Sequence, residues 1–123
     1  MKSHKYFGPL LVAVMLASLF PAGLASAAPP AVTTGTAVNV TARSAVLTGN
    51  LTSLGTATSV AVSFDYGTTT SYGGSTPPVV YRSPGSFAFY LTGLSPATTY
   101  HFRAKADGGA AGVVTGSDAT FTT

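Results

Sequence analysis

The chain has 123 residues, with six lysines and arginines against three acids and no cysteine. That length fits a single domain. The missing cysteine excludes disulfides, thiolate metal centres, a cysteine nucleophile and a lipidated cysteine.

In chain order, Lys2, His4 and Lys5 open a short basic start, followed by the apolar run "YFGPLLVAVMLASLF" and the small residues "AGLASAA". This order predicts a secretory signal peptide over residues 1–27. The apolar run is shorter than the roughly 20 residues of a membrane span. Ala25-Ser26-Ala27 supplies the small-x-small pattern, which puts cleavage between Ala27 and Ala28; an uncleaved N-terminal anchor is the alternative. The remainder, residues 28–123, carries Arg43, Arg82, Arg103 and Lys105 against Asp65, Asp107 and Asp118, a net charge of +1. It has no basic stripe able to neutralise several phosphates, which argues against nucleic acid as a partner. The end "DATFTT" has no hydrophobic tail, so free secretion or non-covalent surface attachment is expected, with no membrane contact after cleavage.

After "APP" at Ala28 to Pro30 the sequence turns rich in β-branched and small residues, and alternation assigns strands. "SAVLTGNL" sets Ala45, Leu47, Gly49 and Leu51 on one side. "SVAVSFDY" sets Val60, Val62, Phe64 and Tyr66 against Ala61, Ser63 and Asp65. "SFAFYL" sets Phe87, Phe89 and Leu91 against Ala88 and Tyr90. "TTYHFRAKA" sets Tyr100, Phe102, Ala104 and Ala106 against His101, Arg103 and Lys105. A helix would scatter each of these period-two sets around its circumference. Weaker strands are expected over Ala31 to Val40, Pro78 to Tyr81 and Val113 to Thr122, with turns at Gly55, Tyr66 to Pro78, Arg82 to Ser86, Gly93 to Pro96 and Ala106 to Gly112. Seven short strands without an intervening helix predict an all-β fold, a seven-stranded antiparallel β-sandwich.

"LTGLSPATTYHFRA", with Leu94, Pro96, Thr98 and Tyr100, resembles the E–F corner and F strand of fibronectin type III domains. "FDYGTTTSYG" and "GSDATFTT" resemble the exported prokaryotic variant of that family. The resemblance covers roughly Pro29 to Thr123. It implies an immunoglobulin-like sandwich in which Tyr100 is the tyrosine-corner residue, its hydroxyl bonded to backbone a few residues upstream, with Leu94 plugging the core beneath. The family's core tryptophan of strand B is missing, with Gly49 or a neighbour near its place. The bulk then falls to Phe64, Tyr66, Phe87 and Phe89. No Arg-Gly-Asp triplet is present, so integrin-type recognition does not carry over.

For His101, Arg103, Lys105 and Asp107, an anion-binding ladder competes with a solvated strand face that resists edge pairing, and the solvated face is favoured. A carboxylate pair of Asp107 and Asp118 would be needed for glycosidase-like chemistry, but Asp beside Gly is also a common turn former. Three dispersed aspartates are too few for a calcium site, and neither a cofactor nor another metal is expected. Tyr72, Tyr81 and Tyr90 are the aromatics expected to show a face to solvent, and with Asp107 they are the candidate ligand contacts. Asn39-Val40-Thr41 and Asn50-Leu51-Thr52 match the N-glycosylation pattern. The expected function is a secreted, non-catalytic module for extracellular binding, adhesion or surface structure. Its partner would be a cell-surface polysaccharide or another surface protein, and it would act as a monomer or a self-assembling unit. A filament or surface-layer subunit built by strand addition and a small secreted hydrolase using His101 and the aspartates are the alternatives.

Overall fold

Strong alternation produces the strands, and breaks in alternation divide them. The computed structural model describes residues 26–123, so the expected signal segment falls outside the described residues except for Ser26 and Ala27. Nine strands follow in order: β1 (Ala31–Val38), β2 (Ser44–Ser53), β3 (Val60–Gly67), β4 (Gly74–Ser75), β5 (Val79–Tyr81), β6 (Gly85–Thr92), β7 (Thr99–Asp107), β8 (Val113–Thr115) and β9 (Ala119–Thr122), with a 3₁₀ turn at Gly109–Ala111. All pairings are antiparallel. One sheet has the order β1-β2-β6. In the other, β3 and β7 are central, β4 and β5 share the free edge of β3, and β8 and β9 share the free edge of β7.

The expected seven strands are therefore nine, arranged in seven rows, because each edge row of the larger sheet is cut once. Thr76-Pro77-Pro78 separates β4 from β5, and neither proline can donate to the ladder. Gly116-Ser117-Asp118 separates β8 from β9. The register shifts by one residue across each cut, so two edge residues stand opposite Ser63 on one side and opposite Arg103 on the other. These are β-bulges, which bend an edge and re-aim its side chains. The short β4 lies inside a stretch expected to be turn, because only two residues of it pair.

Buried backbone groups left by the cuts are satisfied by two threonines. Thr76 returns a full bond pair to Phe64, its hydroxyl accepting the Phe64 N–H at 2.9 Å and its own N–H donating to the Phe64 carbonyl at 2.9 Å. On the opposite edge the Ala104 carbonyl takes the Gly116 N–H at 2.8 Å, while the Ala104 N–H donates to the Thr34 hydroxyl at 3.0 Å. Thr34 belongs to β1 of the other sheet, so this bond ties the two layers together along one side. Gly116 allows the approach, since a Cβ there would meet the Thr34 hydroxyl at 2.4 Å.

The core lies between the sheets. Ala45, Leu47 and Leu51 of β2, Val60, Val62 and Phe64 of β3, Phe87 and Leu91 of β6, and Tyr100, Phe102, Ala104 and Ala106 of β7 are buried. Phe87 lies opposite Gly49 in register and its ring fills the space a side chain there would need, 2.9 Å from an added Cβ. It packs on Phe64 with ring centroids 5.1 Å apart. Of the four residues expected to supply bulk, Phe64 and Phe87 are buried, and Tyr66 and Phe89 pack half-buried at the margin. Leu94 is buried, and the Tyr100 hydroxyl accepts the Ser95 N–H at 2.9 Å, the contact expected of that tyrosine.

Candidate functional site

Alternation that turns Tyr100, Phe102, Ala104 and Ala106 inward turns His101, Arg103, Lys105 and Asp107 outward. Their neighbours across β3 are Gly67, Asp65, Ser63 and Ala61 in the same order. Two of the four are locked into a continuous polar ribbon. The Arg103 Nε donates to one Asp65 carboxylate oxygen at 3.0 Å, and the Ser75 hydroxyl donates to the other at 3.0 Å. These contacts cover Asp65 so well that it is 8% exposed although it lies on the outer face. The Arg103 guanidinium also sits 4.6 Å above the Tyr72 ring centroid, within cation–π range. The Tyr72 hydroxyl donates to Asp118 Oδ1 at 2.8 Å, and His101 Nδ1 meets Asp118 Oδ2 at 2.8 Å.

The bulge opposite Arg103 explains the last two contacts, because the extra residue delivers the Asp118 carboxylate beside β7. Tyr72 is held with φ at +61°, a left-handed conformation that costs a non-glycine residue roughly 1–2 kcal/mol. Its hydrogen bond and the guanidinium over its ring offset that cost. The hydrogen bond from His101, followed by that from Tyr72, holds the Asp118 carboxyl below the usual carboxylate range. Desolvation and the neighbouring Asp118 push the Tyr72 hydroxyl up, so it stays protonated and acts as a donor.

Asp107 and Asp118 do not form a carboxylate pair: Asp107 accepts the Gly109 N–H at 2.8 Å, while Asp118 is bound to His101 and Tyr72. The three candidate tyrosines do not share a surface either. Tyr72 belongs to the ribbon. Tyr81 turns its ring edge-on to Phe87 at 6.0 Å and donates its hydroxyl to the Ser86 carbonyl at 3.0 Å. Tyr90 projects from β6 on the outside of the other sheet, 62% exposed. The links Asp118–His101, Asp118–Tyr72 and Asp65–Arg103 were not anticipated, since the first two depend on a bulge and the third on the β3–β7 register. Among the described residues no three histidine, aspartate or glutamate side chains gather where a metal could be held, and no helix is long and apolar enough to cross a membrane.

No protein-family model matches the chain, and no curated protein matches it. Its fold is similar to that of the sensor domain of the anti-sigma factor RsgI4 from Pseudobacteroides cellulosolvens. A short form of that domain superposes with a TM-score of 0.64 at 22% identity, covering 80% of this chain and 97% of the other. Its solution structure gives 0.63 at 20% identity, covering 76% and 74% respectively. At such identities the likeness speaks for the fold alone.

Proposed function

We propose that the chain is an exported, non-catalytic recognition module with a fibronectin type III-like sandwich, reading an extracellular polysaccharide or surface protein with the outer face of its larger sheet. The observation that carries this reading is the ribbon Ser75–Asp65–Arg103–Tyr72–Asp118–His101, in which every link is made before a ligand arrives. Pre-ordered polar groups lower the entropy cost of binding. The seven rows and the Tyr100 corner support the family likeness, and the sensor role of the structural neighbours agrees with recognition. Non-catalysis is supported by the separation of Asp107 from Asp118 and by a Tyr72 hydroxyl held as a donor. The test is an array of glycans, cell-wall polymers and surface proteins probed with residues 28–123, which contain all nine strands. Binding that falls at least ten-fold in Tyr72→Ala and not in Tyr90→Ala is the expected result. Binding to nothing on the array would overturn the reading.

A second reading, assembly by strand addition, is favoured by the β5 edge, where Val79 and Val80 are 54% and 59% exposed. Size-exclusion chromatography separates the two: a monomer at high concentration argues against assembly.

A further inference from the structure

The outward row of β7 divides chemically in the middle. His101 and Arg103 each have a carboxylate, Asp118 and Asp65, whereas among the described residues neither Lys105 nor Asp107 has an ion-pair partner. The same division marks the surface. Beside the satisfied half the sheet is covered by Tyr72 and the Arg103 side chain. Beside the other half it is hollow, a cleft of about 240 Å³ whose lining includes Ala61, Ser63, Ser75, Pro78, Lys105 and Asp107, with Thr76 between Ser75 and Pro78.

The second bulge creates the hollow. Opposite Ser63 the edge row carries Pro77 and Pro78 in place of one paired residue, and Thr76 has turned inward to serve Phe64. The floor is then made of two small outward residues of β3, Ala61 and Ser63. Lys105 and Asp107, their register partners, form one wall, and Ser75 with Pro78 forms the other. The volume is below the roughly 300–1,000 Å³ of sites that enclose drug-sized ligands, so it suits a single ring of a longer polymer.

The wall residues select among ligands. A lysine ammonium is a compact point charge that offers three donors and no acceptor. The Asp107 carboxylate only accepts, and one of its oxygens is already given to Gly109. A multiply charged anion placed on Lys105 would face that carboxylate and be repelled, whereas a wholly neutral ring would leave the ammonium without a counter-charge. A ring with one carboxylate and several hydroxyls satisfies both walls, with Ala61 and Pro78 left for its C–H face. Resting on the recognition-module reading above, we propose that this cleft binds one ring of an acidic polysaccharide, its carboxylate on Lys105 and the Ser63 hydroxyl and its ring hydroxyls donating to Asp107.

The experiment titrates the full chain with a short oligoglucuronate and with the same oligomer methyl-esterified, which removes the charge and keeps the ring. The charged oligomer is expected to bind at least ten-fold more tightly than the ester, and Lys105→Met to erase that difference, since hydrogen bonds to charged groups are worth about that much. Amide shifts on titration should centre on Ser63, Lys105 and Asp107, a readout that does not depend on any variant folding. Equal binding of acid and ester, an unaffected Lys105→Met, or shifts centred on Tyr90 would overturn the cleft assignment. If another polymer binds while oligoglucuronate does not, the cleft assignment fails and the recognition module stands. Absence of binding to every polymer and surface protein overturns both.

Discussion

The two faces of the larger sheet are built from the same strands and held by different forces. Inside, Phe64 and Phe102 meet edge-on at 6.1 Å, Phe102 and Phe121 at 6.0 Å, and Tyr100 stacks on Phe121 at 5.5 Å. Burial of this kind has no preferred direction, but it is sensitive to volume, because interiors are packed to crystal density. Outside, the contacts are directional pairs, Arg103 with Asp65 between neighbouring strands, and His101 and Tyr72 with Asp118 of the cut between β8 and β9. The exposed contacts of Asp118 each add little stability, whereas the Arg103–Asp65 pair has a buried carboxylate, which losing its partner would leave uncompensated. The His101–Asp118–Tyr72 part of the outer face can thus be altered with little cost to the fold.

The largest expected effect lies inside. Phe102 has no exposed surface, and Phe102→Ala should cost about 3–5 kcal/mol of unfolding free energy through lost burial and the cavity it leaves. Denaturant titration measures it, and a loss below about 1 kcal/mol would mean that the rings are not the main support. Between the faces stands Thr76. Thr76→Val keeps the shape and removes the acceptor from the buried Phe64 N–H, so a loss of about 1–3 kcal/mol is expected. Faster hydrogen exchange confined to the Phe64 amide would locate the effect at the cut between β4 and β5.

Legibility in the sequence follows the same division. Alternation in β2, β3, β6 and β7 separates buried from exposed residues, since the period of two is a property of the pleat and needs no knowledge of neighbours. Phe64, Phe87, Tyr100 and Phe102 all lie where it places them. The cuts in the edge rows were not legible. "STPP" and "TGSDA" read as a turn and a strand because a bulge depends on what stands opposite, here Ser63 and Arg103. The ribbon inherits that blindness: Asp118 reaches His101 across 17 positions and Tyr72 across 46, and spacing along the chain carries no trace of either link. Asp65 shows the reverse case, assigned correctly to the outer face yet buried there by its partners.

The smallest expected effect is on the outer face, and its sign is fixed by the Asp118 carboxyl. Hydrogen bonds from His101 and Tyr72 hold it below its ordinary value of 3.8 in the folded protein, so the folded state binds that proton less readily than the unfolded chain. The resulting stabilisation is complete at neutral pH and is lost as the pH falls through 3.8 toward the lower folded value. Asp118→Asn retains the size and one carbonyl acceptor for Tyr72 or His101 but cannot ionise. The wild type should therefore exceed the variant by at most about 1 kcal/mol at neutral pH, and the two stability curves should converge in acid. A gap that persists in acid would show that Asp118 acts through shape rather than charge, and the outer face would then resemble the inner one more closely than its hydrogen bonds suggest.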